Sequence, residues 1–284
     1  MNLARGQVLD AFTLLAPIAA GGQGCVWHAA HRVTGAPVAL KLAPLTRDEA
    51  SNERLRREAR ALARLEHPSL LRCLALFEDP LQNLIGVALE WIAGRSLADP
   101  AALRRLHAGA RQLAIVHVTR ALAHLHGFGI VHRDVKPANV LVDERFYASP
   151  HEPSLLKLGD LGIATLIGNP SPLTTAGVRV GTPWYMPPEA LDPRAPPGAS
   201  PRQDLFSLGV LGWELLFDAH PAGVGDDANT DELAAIYADY AALPEAWLPP
   251  SDRDTHLVAM LKRCLRIRPL ERFDDARAAL AALA

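Results

Sequence analysis

The sequence predicts an α+β fold in which a strand-rich segment is followed by a larger helical segment. Two observations carry this prediction. Between residues 12 and 42, short apolar runs are broken by glycine, which is typical of successive antiparallel strands. Between residues 109 and 126, apolar side chains recur at helical intervals, which indicates a long amphipathic helix. A chain of 284 residues with 49% hydrophobic content can bury a sizeable core as one large or two modest domains.

The strand-rich segment is expected to continue beyond residue 42 with a helix and further strands. Residues 49–65 are rich in Arg, Glu, Ala and Leu and predict a helix, which ends before a proline. The apolar runs at residues 70–77 and 84–91 predict two more strands. Ala93 and Gly94 then form the expected hinge to the helical segment.

The helical segment is expected to consist of helices separated by proline-rich loops. After the helix at 109–126, the most apolar run is 205–217, which contains Glu214. This run is shorter than the roughly 20 residues that a bilayer span needs, so it predicts a buried helix. An alanine-rich helix is expected at 274–284. Loops are expected where prolines cluster, because proline lacks the backbone N–H donor and fixes φ. The clusters lie at residues 149–153, 169–172, 193–201 and 243–250.

Charge and cysteine content exclude several classes of partner. The net charge is -2, from 29 basic and 31 acidic residues, so neither nucleic acid nor an anionic membrane is expected as a partner. Three widely separated cysteines, Cys25, Cys73 and Cys264, predict neither a disulfide framework nor a metal site. The N-terminal residues do not have the pattern of a signal peptide. A cytoplasmic protein without a membrane segment is therefore expected.

The segment HRDVKPANVL, residues 132–141, places Asp134, Lys136 and Asn139 on what reads as a short loop entering a strand. It resembles the catalytic loop of the protein kinase family. The resemblance implies that Asp134 accepts a hydrogen bond from the attacking hydroxyl and that Lys136 screens the moving phosphoryl group. It also implies that Asn139 binds magnesium through its amide oxygen.

The resemblance extends over nearly the whole chain and implies a bilobal protein kinase fold. Residues 1–284 would form one kinase domain. Its N-lobe, residues 1–92, would be a small antiparallel sheet with helix C, and its mainly helical C-lobe would be residues 93–284. The compact sequence, rich in Ala, Arg and Pro, is similar to eukaryotic-like bacterial serine/threonine kinases.

A glycine-rich segment near the N-terminus resembles the family's phosphate-binding loop. It contains Gly21, Gly22 and Gly24, whereas Ala19 replaces the first glycine of the family pattern, a departure expected to reduce the loop's flexibility slightly. Glycine suits this role because it lets backbone N–H groups approach phosphates closely.

The family's phosphate-binding lysine is expected at Lys41, where the segment VALK resembles the corresponding strand. The resemblance places Glu58 on helix C as the ion-pair partner of Lys41. The other charges on that helix are expected to form a solvated face: Glu53, Arg54, Arg56, Arg57, Arg60 and Arg64.

The segment KLGDLGIA resembles the family's Asp-Phe-Gly segment, with leucine in place of phenylalanine. Asp160 would bind the metal that bridges the phosphates, and Asn139 would hold a second metal. Mg²⁺ is the expected ion, with Mn²⁺ as an alternative. The connection at 143–156 exceeds the usual length by roughly eight residues and is expected to be a surface loop.

The segment GTPWYMPPEAL, residues 181–191, resembles the end of the family's activation segment. Thr182 lies where serine/threonine kinases place a hydroxyl that supports the acceptor, which favours serine or threonine over tyrosine. Glu189 is expected to form a buried ion pair with Arg272. Asp204 is expected to brace the backbone of the catalytic loop. Arg133 suggests control by a phosphorylated residue, for which Thr174 and Thr175 are the candidates.

Adenine binding needs an apolar slot and backbone groups at the hinge. The resemblance assigns the slot and hinge to these residues, with Leu89 as the gatekeeper: Val26, Ala39, Leu89, Glu90, Ile92 and Leu141.

Three functional hypotheses follow. The first is a serine/threonine protein kinase that uses ATP and protein substrates and also phosphorylates itself, for which dimerisation is one route. The second is a pseudokinase or scaffold that binds nucleotide without turnover, although Lys41, Asp134, Asn139 and Asp160 are all intact. The third is a small-molecule phosphotransferase of the same fold, which the segment 181–189 disfavours.

Overall fold

The computed structural model describes residues 2–21, 24–45, 49, 52, 53, 56, 60, 63–160, 183–192, 200–225, 229–241 and 255–283. The chain divides into two compact units. The first unit contains the described residues up to Ala93, together with Asp160. The second unit contains Gly94–Gly159 and the described residues from 183 onward.

The first unit is built on a six-stranded antiparallel sheet with the order β1-β2-β3-β4-β6-β5. The predicted strands are confirmed, although the run expected at 70–77 forms a strand only from Cys73 and continues to Asp79. The strands are β1 (Val8–Leu9), β2 (Phe12–Gly21), β3 (Gly24–His31), β4 (Pro37–Pro44), β5 (Cys73–Asp79) and β6 (Leu84–Glu90).

The two faces of this sheet differ in composition. Trp27, Leu40 and Ala88 lie opposite one another on β3, β4 and β6, and all three are buried in the unit's apolar core. Because side chains alternate along a strand, the next residues point to the other face. That face carries Val26 opposite Lys41, and Ala39 opposite Leu89. We call it the open face, since these four side chains are only half-buried.

Helical residues follow β4, as the sequence predicts, and those that the structure describes are Glu49, Asn52, Glu53, Arg56 and Arg60. The predicted helix was expected to reach residue 65, but residues 63–65 are a turn and coil. The expectation that Arg56 belongs to a solvated face is wrong. Its guanidinium binds the Glu78 carboxylate on β5 with both Nε (2.5 Å) and Nη2 (3.0 Å), and its side chain is only 18% exposed.

Among the described residues, most of the helices belong to the second unit, and these confirm the predicted long segments. The helix expected at 109–126 runs from Ala108 to Gly127, and the apolar run at 205–217 belongs to a helix that begins at Pro201. Ser200 and Gln203 form a capping box that fixes this start. The helices are α1 (Pro100–Arg105), α2 (Ala108–Gly127), α3 (Pro188–Leu191), α4 (Pro201–Phe217), α5 (Thr230–Ala241), α6 (His256–Cys264) and α7 (Ala276–Ala281).

A small three-stranded sheet accompanies these helices, with strands β7 (Gly94–Ser96), β8 (Val140–Asp143) and β9 (Leu156–Leu158) in that order. Gly94, expected to be part of a hinge, is the first residue of β7 and pairs with Asp143. A Cβ atom at Gly94 would lie 1.8 Å from the Val142 carbonyl oxygen, so the close approach of these two strands requires glycine.

The connection between β8 and β9 lies largely at the surface, as the sequence predicts, but it is not an irregular loop. It contains two short 3₁₀ helices, Glu144–Tyr147 and Pro153–Leu155, and Phe146 is fully buried. His117 on α2 contacts the Phe146 ring, and its Nε2 atom lies 2.9 Å from the Pro150 carbonyl oxygen. A buried aromatic side chain within the insertion therefore packs this surface segment onto α2.

None of the helices in the described part of the chain is long and apolar enough to cross a membrane.

Candidate active site

The catalytic loop in the second unit is held by a carboxylate at the start of α4. Asp204 accepts hydrogen bonds from the backbone N–H groups of His132 and Arg133, both at 2.7 Å. Arg133 has a φ of 69°, an uncommon conformation for a residue other than glycine. The two hydrogen bonds stabilise this strained turn. The prediction that Asp204 braces the loop is confirmed.

A histidine that the sequence analysis did not single out supports Asp204. His126 near the end of α2 lies with Nε2 3.0 Å from Asp204 Oδ2, and both side chains are 1% exposed. The His126 Nδ1 atom accepts a hydrogen bond from the Ala276 N–H at 3.1 Å. Nδ1 is therefore the unprotonated nitrogen, and Nε2 donates to the carboxylate. The start of α7 is thus connected through His126 and Asp204 to the catalytic loop.

His132 connects the loop to the end of β9. Its ring is buried, and Nε2 lies 2.9 Å from the Gly159 carbonyl oxygen, while Nδ1 accepts from the Asp134 N–H. The Gly159 N–H in turn donates to the Asn139 carbonyl oxygen at 2.8 Å. The backbone around Asp134 and Asn139 is therefore fixed at both ends.

The structure brings together Asp134, Lys136 and Asn139. Lys136 Nζ and Asn139 Nδ2 each lie 2.9 Å from Asp134 Oδ2, and Asn139 Nδ2 also donates to the Asp134 carbonyl oxygen at 2.7 Å. The side chain of Asp134 is 47% exposed, whereas Asn139 is buried. No described residue binds Asp134 Oδ1 or Asn139 Oδ1. One oxygen of each side chain is therefore open to a ligand.

The first unit contains the predicted phosphate-binding lysine, Lys41, and the predicted metal-binding aspartate, Asp160. Lys41 Nζ forms an ion pair with Asp160 Oδ1, and the two side chains are 17% and 37% exposed. Asp160 has a φ of 55°. The expected partner of Lys41, Glu58, lies outside the described residues. In this structure the ammonium group of Lys41 therefore contacts the metal-ligand candidate directly.

The glycine-rich segment is the turn between β2 and β3. Gly24 has a φ of 142°, and a Cβ atom there would lie 2.3 Å from the Leu42 carbonyl oxygen, so only glycine fits. Gly21 lies opposite Gly24, and Gly22 is outside the described part. Ala19 lies opposite Val26 within the strand pair and has no positive φ. The missing first glycine therefore causes no backbone strain.

The predicted adenine residues divide between the two units. Val26, Ala39 and Leu89 share the open face with Lys41, and Glu90 and Ile92 follow at the end of β6. Leu141 belongs to the second unit, where it lies on β8 opposite Ser96 and Lys157. The expected phosphosites Thr174 and Thr175 and the acceptor-supporting Thr182 lie outside the described residues.

The segment after Thr182 is held by Glu214, which the sequence showed only as a charge within an apolar helix. Glu214 accepts hydrogen bonds from the Trp184 indole N–H and, at 2.7 Å, from the Tyr185 hydroxyl. Ser207, nearly two helical turns into α4, donates to the Tyr185 carbonyl oxygen at 2.7 Å. Three hydrogen bonds to two residues of α4 therefore fix residues 184 and 185.

His220 fixes the same segment and makes its stability dependent on pH. Its Nε2 donates to the Trp184 carbonyl oxygen (3.0 Å), Nδ1 accepts from the Ala222 N–H, and burial lowers the His220 pKa to about 4. The unfolded chain binds this proton near pH 6.5, so stability is lost as pH falls below that value, until about pH 4. From pH 7 to pH 5 the loss from this residue is expected to be about 2 kcal/mol.

Chemical denaturation at a series of pH values measures this loss. His220→Gln cannot titrate, and the difference in pH dependence between wild type and variant isolates the contribution of His220. Parallel pH profiles for the two proteins would contradict the assignment.

The predicted pair of Glu189 and Arg272 is confirmed. Arg272 Nη1 and Nη2 bind the two carboxylate oxygens of Glu189 at 2.7 and 2.8 Å. The remaining N–H groups donate to the carbonyl oxygens of Arg202, Ile267 and Arg266. All five donors of a guanidinium whose side chain is 0% exposed are therefore used.

Glu189→Gln is expected to destabilise the protein by about 2 kcal/mol, because it leaves the buried Arg272 without a full counter-charge. Urea denaturation gives the free energy of unfolding. Arg268→Gln is a matched control that breaks a pair with Glu271 at 3.6 Å on the surface, and it is expected to cost less than about 0.5 kcal/mol. Equal effects of the two substitutions would show that burial of the pair does not matter.

Comparison with known proteins identifies the family. The protein kinase domain model matches residues 12–282, nearly the whole chain, and the chain therefore belongs to the protein kinase family. Members of this family use ATP and a divalent metal ion.

Two relatives are similar to this chain over most of its length. The serine/threonine-protein kinase PknA of Mycobacterium tuberculosis is 32% identical over 278 residues, which is 93% of this chain and 60% of that protein. The DNA damage-responsive serine/threonine-protein kinase RqkA of Deinococcus radiodurans is 32% identical over 84% of this chain and 34% of its own length. The chain thus spans about a third to three fifths of these relatives.

The crystal structure of the Mycobacterium tuberculosis PknI kinase domain (C20A mutant) superposes with a TM-score of 0.65 and 24% identity, over 100% of this chain and 98% of that one. The predicted kinase fold, α+β with an antiparallel sheet and a helical portion, is confirmed.

Proposed function

We propose that this protein is a serine/threonine protein kinase that transfers the γ-phosphate of ATP to protein hydroxyls. The observation that carries the proposal is the arrangement of Asp134, Lys136 and Asn139 on a loop fixed by Asp204. A carboxylate with one oxygen held by a cation and an amide has its other oxygen available for an incoming hydroxyl.

In the proposed reaction, Asp134 orients the attacking hydroxyl and accepts its proton through Oδ1. Lys136 and Asn139 both contact Asp134 Oδ2. The positive charge of Lys136 would therefore lie beside the hydroxyl oxygen as that oxygen becomes negative. This charge stabilises the transition state more than the ground state. The hydrogen bonds of Asn139 keep the Asp134 carboxylate in one orientation, which removes a rearrangement from the reaction.

Each unit has a side-chain oxygen of the kind that a hard divalent cation prefers. Asn139 uses its amide nitrogen for Asp134 and so presents Oδ1, and Asp160 retains an oxygen that no described residue binds. Among the described residues, no three His, Cys, Asp or Glu side chains gather around one point. Mg²⁺ prefers oxygen ligands, keeps several waters and takes phosphate oxygens, so we propose Mg²⁺, with Mn²⁺ as a substitute. When bound, the ion neutralises charge on the phosphates.

Lys41 and the open face of the first unit are proposed to hold the nucleotide. Lys41 would bind the phosphates, and Glu58 would be its partner on the helix after β4. Val26, Ala39 and Leu89 would contact adenine, with hinge residues Glu90 and Ile92 and with Leu141. The nucleotide-binding pseudokinase is disfavoured because Lys41, Asp134, Asn139 and Asp160 are all present.

Serine and threonine are the proposed acceptors, and they agree with the names of the relatives PknA and RqkA. Thr182 would support the acceptor together with Lys136. Autophosphorylation at Thr174 or Thr175, through transient dimers, would engage Arg133. The three cysteines are free thiols, which supports a reducing cytoplasm, where ATP is available.

The test is incubation of the purified chain with ATP, Mg²⁺ and a generic basic protein, followed by mass spectrometry of both proteins. We expect phosphoserine and phosphothreonine on the acceptor, and phosphate between residues 163 and 179 of the kinase. Phosphate on tyrosine alone would overturn the choice of acceptor. An absence of transfer with both Mg²⁺ and Mn²⁺ would favour the pseudokinase.

A further inference from the structure

The ring of a histidine on the first sheet stacks on the ring of a tryptophan. The proposed function gives neither residue a role. The ring centroids of His28 and Trp91 are 4.1 Å apart and the ring planes differ by 26°. His28 is half-buried, and its Nε2 atom is shielded from solvent and bonds to no described residue. Ring stacking, rather than a hydrogen bond from Nε2, therefore joins this histidine to Trp91.

The position of His28 relates this stack to the nucleotide. His28 lies opposite Ala39 on β4, and Ala39 lies opposite Leu89 on β6. Residues that lie opposite each other share a face, so His28 is on the open face with the proposed adenine contacts. Trp91 follows β6 directly and lies between Glu90 and Ile92, the two proposed hinge contacts of adenine, and we call residues 90–92 the hinge from here on.

The two hinge residues Glu90 and Trp91 are held in different ways. The Glu90 N–H donates to the Arg72 carbonyl oxygen at 3.0 Å, and the Arg72 N–H donates to Glu90 Oε1 at 2.8 Å. This reciprocal pair fixes Glu90 from the β5 side of the sheet. Trp91 lies beyond the last paired residue of β6 and is held from the β3 side by the His28 ring.

We propose that His28 is a positioning residue for nucleotide binding, whose imidazole holds Trp91 and keeps the backbone of residues 90–92 in the conformation that receives adenine. The inference rests on the proposed function for the identity of the ligand. A backbone segment that is already ordered loses little entropy when the ligand binds, so the stack strengthens binding without touching the reacting atoms. Loss of the stack is therefore expected to raise the dissociation constant for ATP and to leave kcat unchanged.

Three variants test the proposal by titration of ATP with Mg²⁺ in a calorimeter. His28→Ala removes the ring and is expected to raise the dissociation constant about 2- to 10-fold, the range expected for one aromatic pair. His28→Phe keeps a flat ring without nitrogen and is expected to bind within about twofold of wild type. His31→Ala is the matched control, because His31 is on the same strand but contacts Phe12 instead of the hinge, and its ATP affinity should equal wild type.

Hydrogen exchange of the nucleotide-free protein gives a readout that does not depend on activity. Backbone amides of residues 90–92 are expected to exchange faster in His28→Ala than in wild type and His28→Phe. Unchanged ATP affinity in His28→Ala would overturn the proposal. Equal weakening in His28→Ala and His28→Phe would also overturn it, since the imidazole nitrogens would then be the important groups. Wild type that binds ATP without transferring phosphate would refute the proposed function and leave this inference standing.

Discussion

Replacing Asp134 with asparagine is expected to lower the rate constant for phosphate transfer by about 10²- to 10⁴-fold, the usual contribution of a general base. Asparagine keeps the shape of the side chain but cannot take the proton from the hydroxyl. It also removes the charge that Lys136 Nζ contacts at 2.9 Å. The Michaelis constant for ATP should change little, because Asp134 acts on the acceptor hydroxyl.

Steady-state kinetics with a protein acceptor measures both constants. Asp274→Asn is the matched control, since the same substitution is made at an exposed aspartate whose partner is Arg202. It is expected to retain wild-type kinetics. A fall of less than about tenfold in Asp134→Asn would mean that Asp134 is not the proton acceptor.

Replacing Asp160 with asparagine is expected to reduce phosphate transfer by about 10³-fold or more while the protein stays folded. The substitution removes a negative charge that pairs with Lys41 and that is proposed to bind the metal. The fold should tolerate it, because asparagine accepts the left-handed backbone conformation that Asp160 has, with a φ of 55°. Raising the Mg²⁺ concentration should recover part of the rate if the lost interaction is with the metal.

Asp218→Asn provides a control with the same backbone geometry. Asp218 has a φ of 52° and contacts Arg111 at 2.6 Å, and its side chain is 74% exposed. This variant should be as active as wild type and show the same thermal stability within a few degrees. If Asp160→Asn were active at ordinary Mg²⁺ concentrations, the role proposed for Asp160 would be wrong.

The sequence predicted the parts of the fold that depend on local patterns. The strands of the first sheet and helix α2 follow from apolar periodicity and from glycine and proline, which act within a few residues. Two contacts were predicted only because the chain resembles a family in which these positions are known. They are the support of the catalytic loop by Asp204 and the ion pair of Arg272 with Glu189. The expectations for Glu58, Thr174, Thr175 and Thr182 stay predictions.

Other features of the site depend on contacts that periodicity cannot predict. His126 and Asp204 are 78 residues apart in sequence, and nothing local marks this histidine as a support for the catalytic loop. Glu214 was visible only as a charge in an apolar helix, although its carboxylate holds Trp184 and Tyr185. The segment 143–156 was expected to be a surface loop because it exceeds the family's usual connection, whereas the burial of Phe146 within it depends on a partner on α2.

Transfer of the γ-phosphate in a single turnover tests the central claim most directly. Excess wild-type protein, treated first with phosphatase, is mixed with γ-labelled ATP and Mg²⁺, and protein-bound label is counted over time beside Asp134→Asn. We predict that label moves from ATP to serine and threonine hydroxyls, at least about 100-fold faster in wild type than in the variant. ATP that binds to the wild-type protein but keeps its label would contradict the account.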